Sequence, residues 1–459
     1  MASVCVLPWP AAPSPEAAFA RLRGRRGVFW LDSSLRGGAG RFSVLGCEPL
    51  AVFRARGREL EFREAGGRAR RWRGDPAAEL ERLLLRYQIP HDARRRVPFA
   101  GGAVGFLGYE FGQGGARPAG APPDAHLAWH DAAAVWDHAR GRAWLVGAGW
   151  RRPPGEAVAE LARWLRGPAQ PARRRAPAPL RLRSDFTRAR YEAAVRGVRG
   201  RIARGEIYQM NLAQRFHGAA AGDPADLYLR LRRRNPAPMG AYLAAGPWTV
   251  LSSSPERFLE VAGRRIRTFP IKGTRPRGAT PAEDAARRRE LAASPKERAE
   301  LLMIVDLMRN DLGRVCRFGT VKVNRLHALE SFATVHHLVG EVEGELRPDV
   351  GPAELLRAVF PGGSITGAPK LRAMRVIRQF EGRRRGVFSG AIGYWGADGR
   401  TDLSIAIRTI VCRRGRAEFH VGAGIVWDSD PRLEYEETLA KGLALREALG
   451  AGAWPESGG

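Results

Sequence analysis

Alternating apolar and polar positions dominate the chain up to about position 150, and this pattern predicts short β-strands. The segments that show it are Gly27–Leu31, Arg41–Leu45, Ala51–Ala55 and Ala143–Gly147. A helical spacing of apolar positions is clear once in this part, from Pro76 to Tyr87. The first third of the chain is therefore predicted to be mainly sheet.

Helical spacing becomes more frequent beyond position 187, with strands between the helices. Between Thr187 and Arg204 the apolar side chains recur with a period close to 3.6 residues. Further helices are predicted over Pro281–Ala292, Pro295–Leu312, Pro352–Val359, Pro369–Phe380 and Leu433–Leu449, and strands over Arg265–Pro270, Gly319–Asn324, Leu403–Cys412 and Glu418–Gly422. Because strands come in runs and helices in groups, the pattern favours an α+β fold with antiparallel sheets.

A stretch rich in Pro and Arg, at 151–184, surrounds one amphipathic helix, Glu156–Arg166, and is typical of a boundary or a long surface crossing. We therefore divide the chain into an N-terminal region, a linker, a C-terminal region that carries the candidate chemistry and a flexible tail. Their predicted bounds are 1–170, 171–186, 187–449 and 450–459.

The formal net charge of +29 at pH 7 is typical of nucleic-acid-binding proteins, because clustered cations neutralise phosphates. The arginines are nevertheless spread over every predicted helix and loop, and the runs at 94–96, 173–175 and 383–385 are short. This distribution favours a solvated basic surface that attracts small dianionic substrates. A nucleic-acid-binding protein is the alternative of a different class.

The cysteines give no sign of a metal or disulfide framework. They lie far apart, without CxxC or Cys/His spacing, at Cys5, Cys47, Cys316 and Cys412. The apolar N-terminal stretch is broken by two prolines, and the longest apolar runs are much shorter than the roughly 20 residues that a bilayer requires. We therefore expect a cytoplasmic protein without a membrane segment.

Lysine is rare: five lysines among 76 Lys and Arg residues leave 71 arginines. Arginine keeps its proton, whereas lysine can lose it and act as a nucleophile or base. Lys272 lies in the segment RTFPIKGTRPRG, between an apolar strand and a turn where Gly273 lets a ligand approach the backbone. A lysine in a chain that otherwise uses arginine favours amine chemistry over a plain anion anchor.

Two pairs of glutamates, each with a spacing of three, open predicted helices: Glu297 with Glu300, and Glu434 with Glu437. Residues three apart share one face of a helix. Either pair alone is better explained as an exposed acidic turn, which the helix dipole favours. Four converging carboxylates would instead require a cation, and oxygen ligands favour Mg²⁺. A di-iron site is disfavoured because neither helix carries Glu-x-x-His.

Two glycine-rich segments are suited to anion binding, because backbone amides at a turn or helix start bind carboxylates and phosphates. They are PGGSITGAPK at 361–370, which leads into a helix, and VGAGIV at 421–426, which ends a strand. The P-loop pattern GxxxxGK[ST] is missing, and no GxGxxG joins a strand to a helix. A nucleotide is therefore a disfavoured ligand.

Together these motifs resemble the chorismate-utilising enzymes from about Thr187 to Leu449. The segments that carry the resemblance are, in order, GEIYQMNLAQ, SSSPERF, PIKGTRPRG, SPKERAELLMIVDLMRNDLG, PGGSITGAPK, LSIAIRT and GAGIVWDSDPRLEYEETLAK. The N-terminal part is more loosely similar, through LPW at 7–9 and GRFSVLG at 40–46. The resemblance implies two orthogonally packed antiparallel sheets surrounded by helices.

Two positions imply the chemistry within this family. Lys272 stands where anthranilate synthases carry alanine, and a lysine there is typical of the aminodeoxychorismate synthases, in which it attacks the ring. Gln209 stands where salicylate and isochorismate synthases carry a water-activating lysine, so ammonia is the expected incoming group. The resemblance implies amination of chorismate at C4 in para-aminobenzoate and folate biosynthesis. Anthranilate synthase component I is the alternative, with Lys272 a bystander.

The resemblance also implies a role for each matching residue. Lys272 is expected to be the nucleophile, and Glu256 the acid/base near the departing C4 hydroxyl. The expected Mg²⁺ ligands are Glu300 and Glu437, supported by Glu297 and Glu434. The expected substrate-binding residues are Gln209, Gly273, Thr274, His337, Thr366, Tyr394, Arg408 and Gly424.

No cysteine lies in a GxCxG nucleophile elbow of the glutamine-hydrolysing type. We therefore expect ammonia to come from a separate glutaminase subunit or from solution. Members of this family often carry a tryptophan pocket in the N-terminal part. The chain has Leu31-Asp-Ser-Ser34 where feedback-regulated anthranilate synthases have Leu-Leu-Glu-Ser, so the sequence leaves the state of that pocket open.

Overall fold

The computed structural model describes residues 3–90, 97–114, 120–171, 180–220, 222–332 and 335–455. Within these ranges the chain forms ten α-helices, none of which is long and apolar enough to cross a membrane. They are α1 Pro15–Leu22, α2 Pro76–Arg86, α3 Pro154–Arg166, α4 Arg188–Ala203, α5 Pro224–Arg234, α6 Pro281–Ala293, α7 Pro295–Gly313, α8 Pro352–Val359, α9 Lys370–Glu381 and α10 Pro431–Ala448.

The strands fall on both sides of the Pro/Arg-rich stretch. Those before it are β1 Val4–Pro8, β2 Phe29–Asp32, β3 Phe42–Gly46, β4 Ala51–Arg56, β5 Glu59–Glu64, β6 Arg70–Arg73, β7 Gly102–Leu107, β8 Ala125–His130, β9 Ala132–Asp137 and β10 Arg142–Ala148. Those after it are β11 Arg183–Ser184, β12 Gln209–Ala219, β13 Met239–Ala245, β14 Trp248–Ser254, β15 Arg257–Ala262, β16 Arg265–Thr268, β17 Ile271–Pro276, β18 Lys322–Ser331, β19 Val335–Glu345, β20 Gly367–Ala368, β21 Ala391–Gly396, β22 Thr401–Ile405, β23 Thr409–Arg413 and β24 Arg416–Ile425.

These strands form two sheets of twelve strands each. The order in the first is β1-β10-β9-β3-β2-β13-β14-β23-β24-β12-β11, with β20 beside β12; in the second it is β17-β19-β16-β15-β22-β21-β7-β8-β4-β5-β6, with β18 beside β19. Paired strands run antiparallel, including β2 with β13 and β7 with β21. The predicted α+β class with two antiparallel sheets is confirmed, and the N-terminal and C-terminal regions share both sheets.

Caps at two helix starts fix the acidic pairs in place. The Ser294 side chain accepts a hydrogen bond from the Glu297 amide at the start of α7, and Asp430 caps α10 in the same way. Both helices have proline at the first position, where the missing amide costs nothing. Helix α7 packs on β19 of the second sheet and α10 packs on β24 of the first. Each sheet therefore supports the helix that carries one pair of glutamates.

The structure corrects two predicted elements. The single strand expected over Leu403–Cys412 is two strands, β22 and β23, separated at Arg408, whose φ of 50° is incompatible with an extended strand. The tail expected to be flexible from position 450 is packed as far as Trp454, whose ring lies 4.7 Å from the ring of Phe216. An aromatic side chain gains from such burial, which holds the chain end in place.

Two other predictions fall partly outside the described ranges. Residues 172–179 of the predicted linker at 171–186 lie outside the described ranges. The arginine runs at 94–96 and 173–175 lie outside them as well. The described end of the linker forms β11, which pairs with β12.

Candidate active site

Lys272 is presented by an irregularity in strand β17. Lys272 pairs with Leu338 of β19 and Thr274 pairs with His337, so Gly273 is an extra residue that forms a β-bulge. Gly273 has a φ of +70°, and a Cβ atom there would lie 2.7 Å from Leu291 Cδ1. Only glycine fits this position, and the bulge turns the Lys272 side chain out of the regular ladder.

Carboxylates and a glycine surround the Lys272 amine. Its Nζ lies 3.5 Å from Glu300 Oε2, and both side chains are largely buried. A Cβ on Gly424 of β24 would lie 3.4 Å from the same Nζ, so a side chain at 424 would crowd the amine. Lys272 also interacts electrostatically with Glu256 and Glu437. The amine therefore lies where β17 of one sheet meets the end of β24 of the other.

Glu256 is a buried carboxyl poised to exchange a proton near neutral pH. Its backbone is fixed because its amide donates to Ser254 Oγ at 3.3 Å and its carbonyl accepts from the Ile405 amide at 3.1 Å. Burial raises the pKa of Glu256 to about 7, against the opposing effects of a hydrogen bond from Ser364, the charge of Lys272 and the Ile271 amide. A carboxyl with such a pKa suits general acid–base catalysis.

The four candidate metal ligands lie at the N-terminal ends of α7 and α10, and each already has a partner. Glu297 Oε1 lies 3.6 Å from Arg275. Glu437 Oε1 lies 2.5 Å from Lys441. Burial raises the pKa of Glu434, whose Oε1 accepts a hydrogen bond from Ser429 at 2.6 Å. Glu300 pairs with Lys272 as described above.

Proximity of the two glutamate pairs is indicated by Lys296 of α7, which interacts electrostatically with both Glu434 and Glu437 of α10. Burial works to raise the pKa of Glu437, but Lys441, Lys296 and Lys272 outweigh it and lower the pKa. Three of the five lysines therefore neutralise this acidic site.

No group of three or more His, Cys, Asp or Glu side chains in the described ranges is arranged as a metal site. The chemistry of the donor set nevertheless fits Mg²⁺, because the acidic pairs offer only carboxylate oxygens. Glu300 and Glu437 would hold the ion. Lys272 and Lys441 supply positive charge beside these two carboxylates.

Arg408 is a cation without a carboxylate partner among the described residues. Burial lowers the pKa of its guanidinium, and no acidic group opposes this effect. Nη1 donates to the side-chain oxygen of Asn235 at 2.9 Å, which orients the group. Burying an unpaired charge is costly, so Arg408 is suited to an anionic ligand.

His337 and Thr274 line the same side of the site. Their Nδ1 and Oγ1 atoms are 2.9 Å apart. Burial and the nearby charge of Arg408 lower the pKa of His337 to about 4, against a hydrogen bond with the Gly273 backbone. The imidazole is therefore neutral at pH 7 and acts as a hydrogen-bonding group.

Gln209, Thr366 and Gly424 come together where β12, β20 and β24 meet. A Cβ at Gly424 would lie 2.5 Å from Gln209 Nε2, so only glycine fits beside this amide. Gln209 is 2% exposed, and its Oε1 has no hydrogen-bond partner. Thr366 is buried: its Oγ1 donates to the Gly362 carbonyl at 3.0 Å, and its own carbonyl accepts from the Asn211 amide at 2.8 Å. An unpartnered buried amide oxygen beside Lys272 indicates a ligand-facing surface.

Tyr394 does not join this group. Residues of β21 alternate between the faces of the second sheet, and Tyr394 packs with its ring 5.3 Å from that of Phe99. It borders a separate cavity of about 50 Å³, beside Leu31 and the ion pair between Arg257 and Asp402. The contacts of Tyr394 do not support its predicted role with Lys272.

The structure adds residues that the sequence motifs did not single out for this site. Ser364 and Asn235 orient Glu256 and Arg408, and Lys296 and Lys441 neutralise the glutamates. Ser364 lies in the glycine-rich segment PGGSITGAPK, and the lysines were conspicuous by their rarity, so a signal for these three existed. No pattern around Asn235 connects it to Arg408, which is 173 residues away.

Curated relatives match nearly the whole chain. An aminodeoxychorismate synthase from Streptomyces pristinaespiralis is 41% identical over 95% of this chain, which spans 64% of that protein. Aminodeoxychorismate synthase component 1 of Klebsiella aerogenes is 38% identical, with coverage of 95% of this chain and 96% of that protein. Anthranilate synthase component 1 of Streptomyces coelicolor is 39% identical, with coverage of 95% and 86%.

The fold comparison agrees. The crystal structure of anthranilate synthase component I from Streptococcus pneumoniae TIGR4 superposes with a TM-score of 0.77 at 31% identity, covering 90% of this chain and 93% of that one. The model of the chorismate binding enzyme family matches residues 31–447, which include each residue of the candidate site. The chain belongs to the chorismate-binding enzyme family.

Proposed function

We propose that this protein aminates chorismate at C4 to give 4-amino-4-deoxychorismate, a step of para-aminobenzoate and folate biosynthesis. The observation that carries the proposal is the position of Lys272, whose amine lies 3.5 Å from Glu300 and interacts electrostatically with the buried acid Glu256. Similarity alone does not select this reaction, because aminodeoxychorismate and anthranilate synthases match at nearly the same identity. Family membership favours an enzyme over the nucleic-acid-binding alternative.

In the proposed mechanism, Lys272 Nζ attacks the substrate ring as a neutral amine and forms a C–N bond. The C4–O bond breaks at the same time, and Glu256 donates its proton so that the hydroxyl leaves as water. Ammonia then forms the new bond at C4 while the bond to Lys272 breaks and its electron pair returns to the lysine nitrogen. The Glu256 carboxylate takes up the proton that the new amine loses, which restores the acid. Because the pKa of Glu256 is about 7, a large fraction of this carboxyl holds a proton at neutral pH.

Binding of the dianionic substrate is proposed to use two kinds of group. Arg408, with Thr274 and the nearby backbone amides of the bulge, would neutralise and orient a carboxylate. Mg²⁺ held by Glu300 and Glu437 would supply positive charge for the other carboxylate, with Glu297 and Glu434 in support. Gln209 and His337 would contribute uncharged hydrogen-bonding groups that leave room for ammonia.

Ammonia is proposed to come from a separate glutaminase subunit. Two observations support this: the chain has no GxCxG nucleophile motif, and several curated relatives are named as component 1 of an aminodeoxychorismate synthase. We therefore expect the isolated chain to use ammonium and to ignore glutamine.

The test is to incubate the purified chain with chorismate, Mg²⁺ and ammonium and to identify the product by mass and fluorescence. The expected product, aminodeoxychorismate, has a non-aromatic ring that carries an amino group and still holds the enolpyruvyl group, and its mass reports this. Unlike anthranilate, it does not fluoresce. Fluorescent anthranilate as the main product would overturn the proposal and leave Lys272 as a bystander.

A further inference from the structure

A large cleft lies at the opposite ends of the strands that carry the active site. Strands β12 and β24 contribute Gln209 and Gly424 to the active site at one end and Arg215 and Arg416 to the cleft at the other. Arg215 is six positions further along the strand than Gln209, which in an extended strand corresponds to about 20 Å. The cleft has a volume of about 1230 Å³ and is distinct from the active site.

The cleft is strongly basic. Among the residues that the structure describes, nine arginines line it against five carboxylates, a formal excess of four positive charges. Each carboxylate has a cationic partner within the cleft wall: Asp185 pairs with Arg215 and Arg383, and Glu381 pairs with Arg385. Arg215 also pairs with Glu418, and Arg384 pairs with both Glu110 and Asp124. Four arginines therefore pair with all five acidic groups, and this paired set has a net formal charge of −1.

The other five arginines have no carboxylate partner among the described residues. Arg190 donates to the Asp185 carbonyl, Arg378 to the Gln113 side chain and Arg413 to the Gly120 carbonyl. Arg414 and Arg416 stand at the exposed rim. Their five positive charges outweigh the single negative charge left in the paired set, and the resulting excess of four is available to a ligand.

Unpartnered buried donors provide an independent sign of a ligand. Trp248 is 7% exposed and Tyr109 is 4% exposed, and both line the cleft. Neither Trp248 Nε1 nor Tyr109 Oη has a hydrogen-bond partner, and neither does Arg413 Nε, whose guanidinium lies 5.5 Å from the Trp248 ring centroid. Native proteins rarely leave such donors unsatisfied, and all three can donate to an oxyanion.

The turn between β23 and β24 places one of these arginines in an unfavourable conformation. Arg414 has a φ of 47° and the following Gly415 a φ of 75°, as in hairpin turns that prefer Asn-Gly or Gly-Gly. An arginine at the first position is strained relative to asparagine. Its presence at the cleft rim is explained if its charge serves a ligand.

We propose that this cleft binds a small multivalent oxyanion that carries phosphate or carboxylate groups. The planar guanidinium group of arginine can donate two parallel hydrogen bonds to a phosphate or a carboxylate. The excess of four positive charges suits a ligand with several negative charges. The unpartnered donors of Trp248, Tyr109 and Arg413 would bind the part of the ligand that reaches the floor.

The experiment measures binding of pyrophosphate and of citrate to the full chain by calorimetry at constant ionic strength. We expect saturable binding of at least one of them, weakened about tenfold or more in the double variant Arg414→Gln/Arg416→Gln. The matched control is Arg68→Gln/Arg73→Gln, two exposed arginines on the β5–β6 hairpin, which should bind within about twofold of wild type. Equal losses in both double variants, or no saturable binding at all, would overturn the proposal.

Two further variants locate the ligand. Trp248→Phe keeps an aromatic side chain but removes the Nε1 donor, so it should weaken binding without unfolding the chain. Arg408→Lys alters the active site and should leave anion binding unchanged. If instead Arg408→Lys abolishes binding while Trp248→Phe does not, the anion occupies the active site and the cleft is not a ligand site. This test does not depend on the proposed reaction, because it measures no turnover.

Discussion

Replacing Lys272 with arginine separates a nucleophile from an electrostatic anchor. Arginine keeps the positive charge beside Glu300 but cannot supply a neutral nitrogen. The substitution therefore preserves everything that an anchor contributes and removes what a nucleophile requires. Lys272→Ala removes both, so comparing the two variants isolates the chemical role.

The structure fixes the expected magnitudes. Two unit charges 3.5 Å apart, as between Lys272 Nζ and Glu300 Oε2, attract each other by about 5 kcal/mol at an effective dielectric constant near 20. Arginine retains most of this attraction and alanine loses it. An anchor role thus predicts a loss of about tenfold for arginine, about 1.4 kcal/mol, and a much larger loss for alanine. A nucleophile role predicts equal losses of several orders of magnitude for both.

The assay is kcat/KM for chorismate at saturating Mg²⁺ and ammonium. Lys370→Arg is the matched control, because Lys370 is another mostly buried lysine paired with a carboxylate, Asp311, with no role in the proposed chemistry. It should stay within about tenfold of wild type if arginine can replace a buried lysine in this protein. The covalent role is refuted if Lys272→Arg keeps a tenth or more of the activity.

Further predictions concern the other groups of the site. Because its pKa is raised to about 7, ionisation of Glu256 destabilises the folded state as pH rises from 4.5 through 7. Glu256→Gln should therefore be as stable as wild type near pH 4.5 and more stable above pH 8, by about 3 kcal/mol or about 3 °C in Tm. A difference in Tm between variant and wild type that does not change with pH would contradict this. Arg408→Lys should raise KM for chorismate about tenfold or more with little change in kcat, whereas an unchanged KM would exclude Arg408 from substrate binding. Glu300→Gln and Glu437→Gln should each raise the Mg²⁺ concentration needed for half-maximal activity, while the exposed neighbour Glu436→Gln should not; equal Mg²⁺ titrations in all three variants would remove the metal assignment. The isolated chain should turn over chorismate with ammonium at high pH and not with glutamine, and glutamine-dependent turnover by the pure chain would remove the need for a partner.

The sequence predicted most helices because their starts are marked locally. Proline at the first turn and capping Ser or Asp define α7 and α10, and the structure places both helices within two residues of the prediction. Glutamates opening these helices could therefore be placed without knowledge of the tertiary fold.

Local pattern failed where the backbone departs from regular geometry. The positive φ at Arg408 divides a run of β-forming residues into two strands, and nothing in LSIAIRTIVC reports it. Tyr394 was expected to bind substrate from the family resemblance, and in the structure it borders the small cavity beside Leu31. Contacts such as that of Asn235 with Arg408 depend on the pairing of distant strands, which no local signal encodes.

The most direct test of the central claim is the mass of the Lys272 peptide after incubation with chorismate and Mg²⁺ in the absence of ammonia. The covalent mechanism predicts a substrate-derived adduct on the wild-type peptide that contains residue 272, lost when ammonium is added and never formed in Lys272→Arg. An enzyme that turns over chorismate with ammonium but shows no such adduct at any time point would contradict the account.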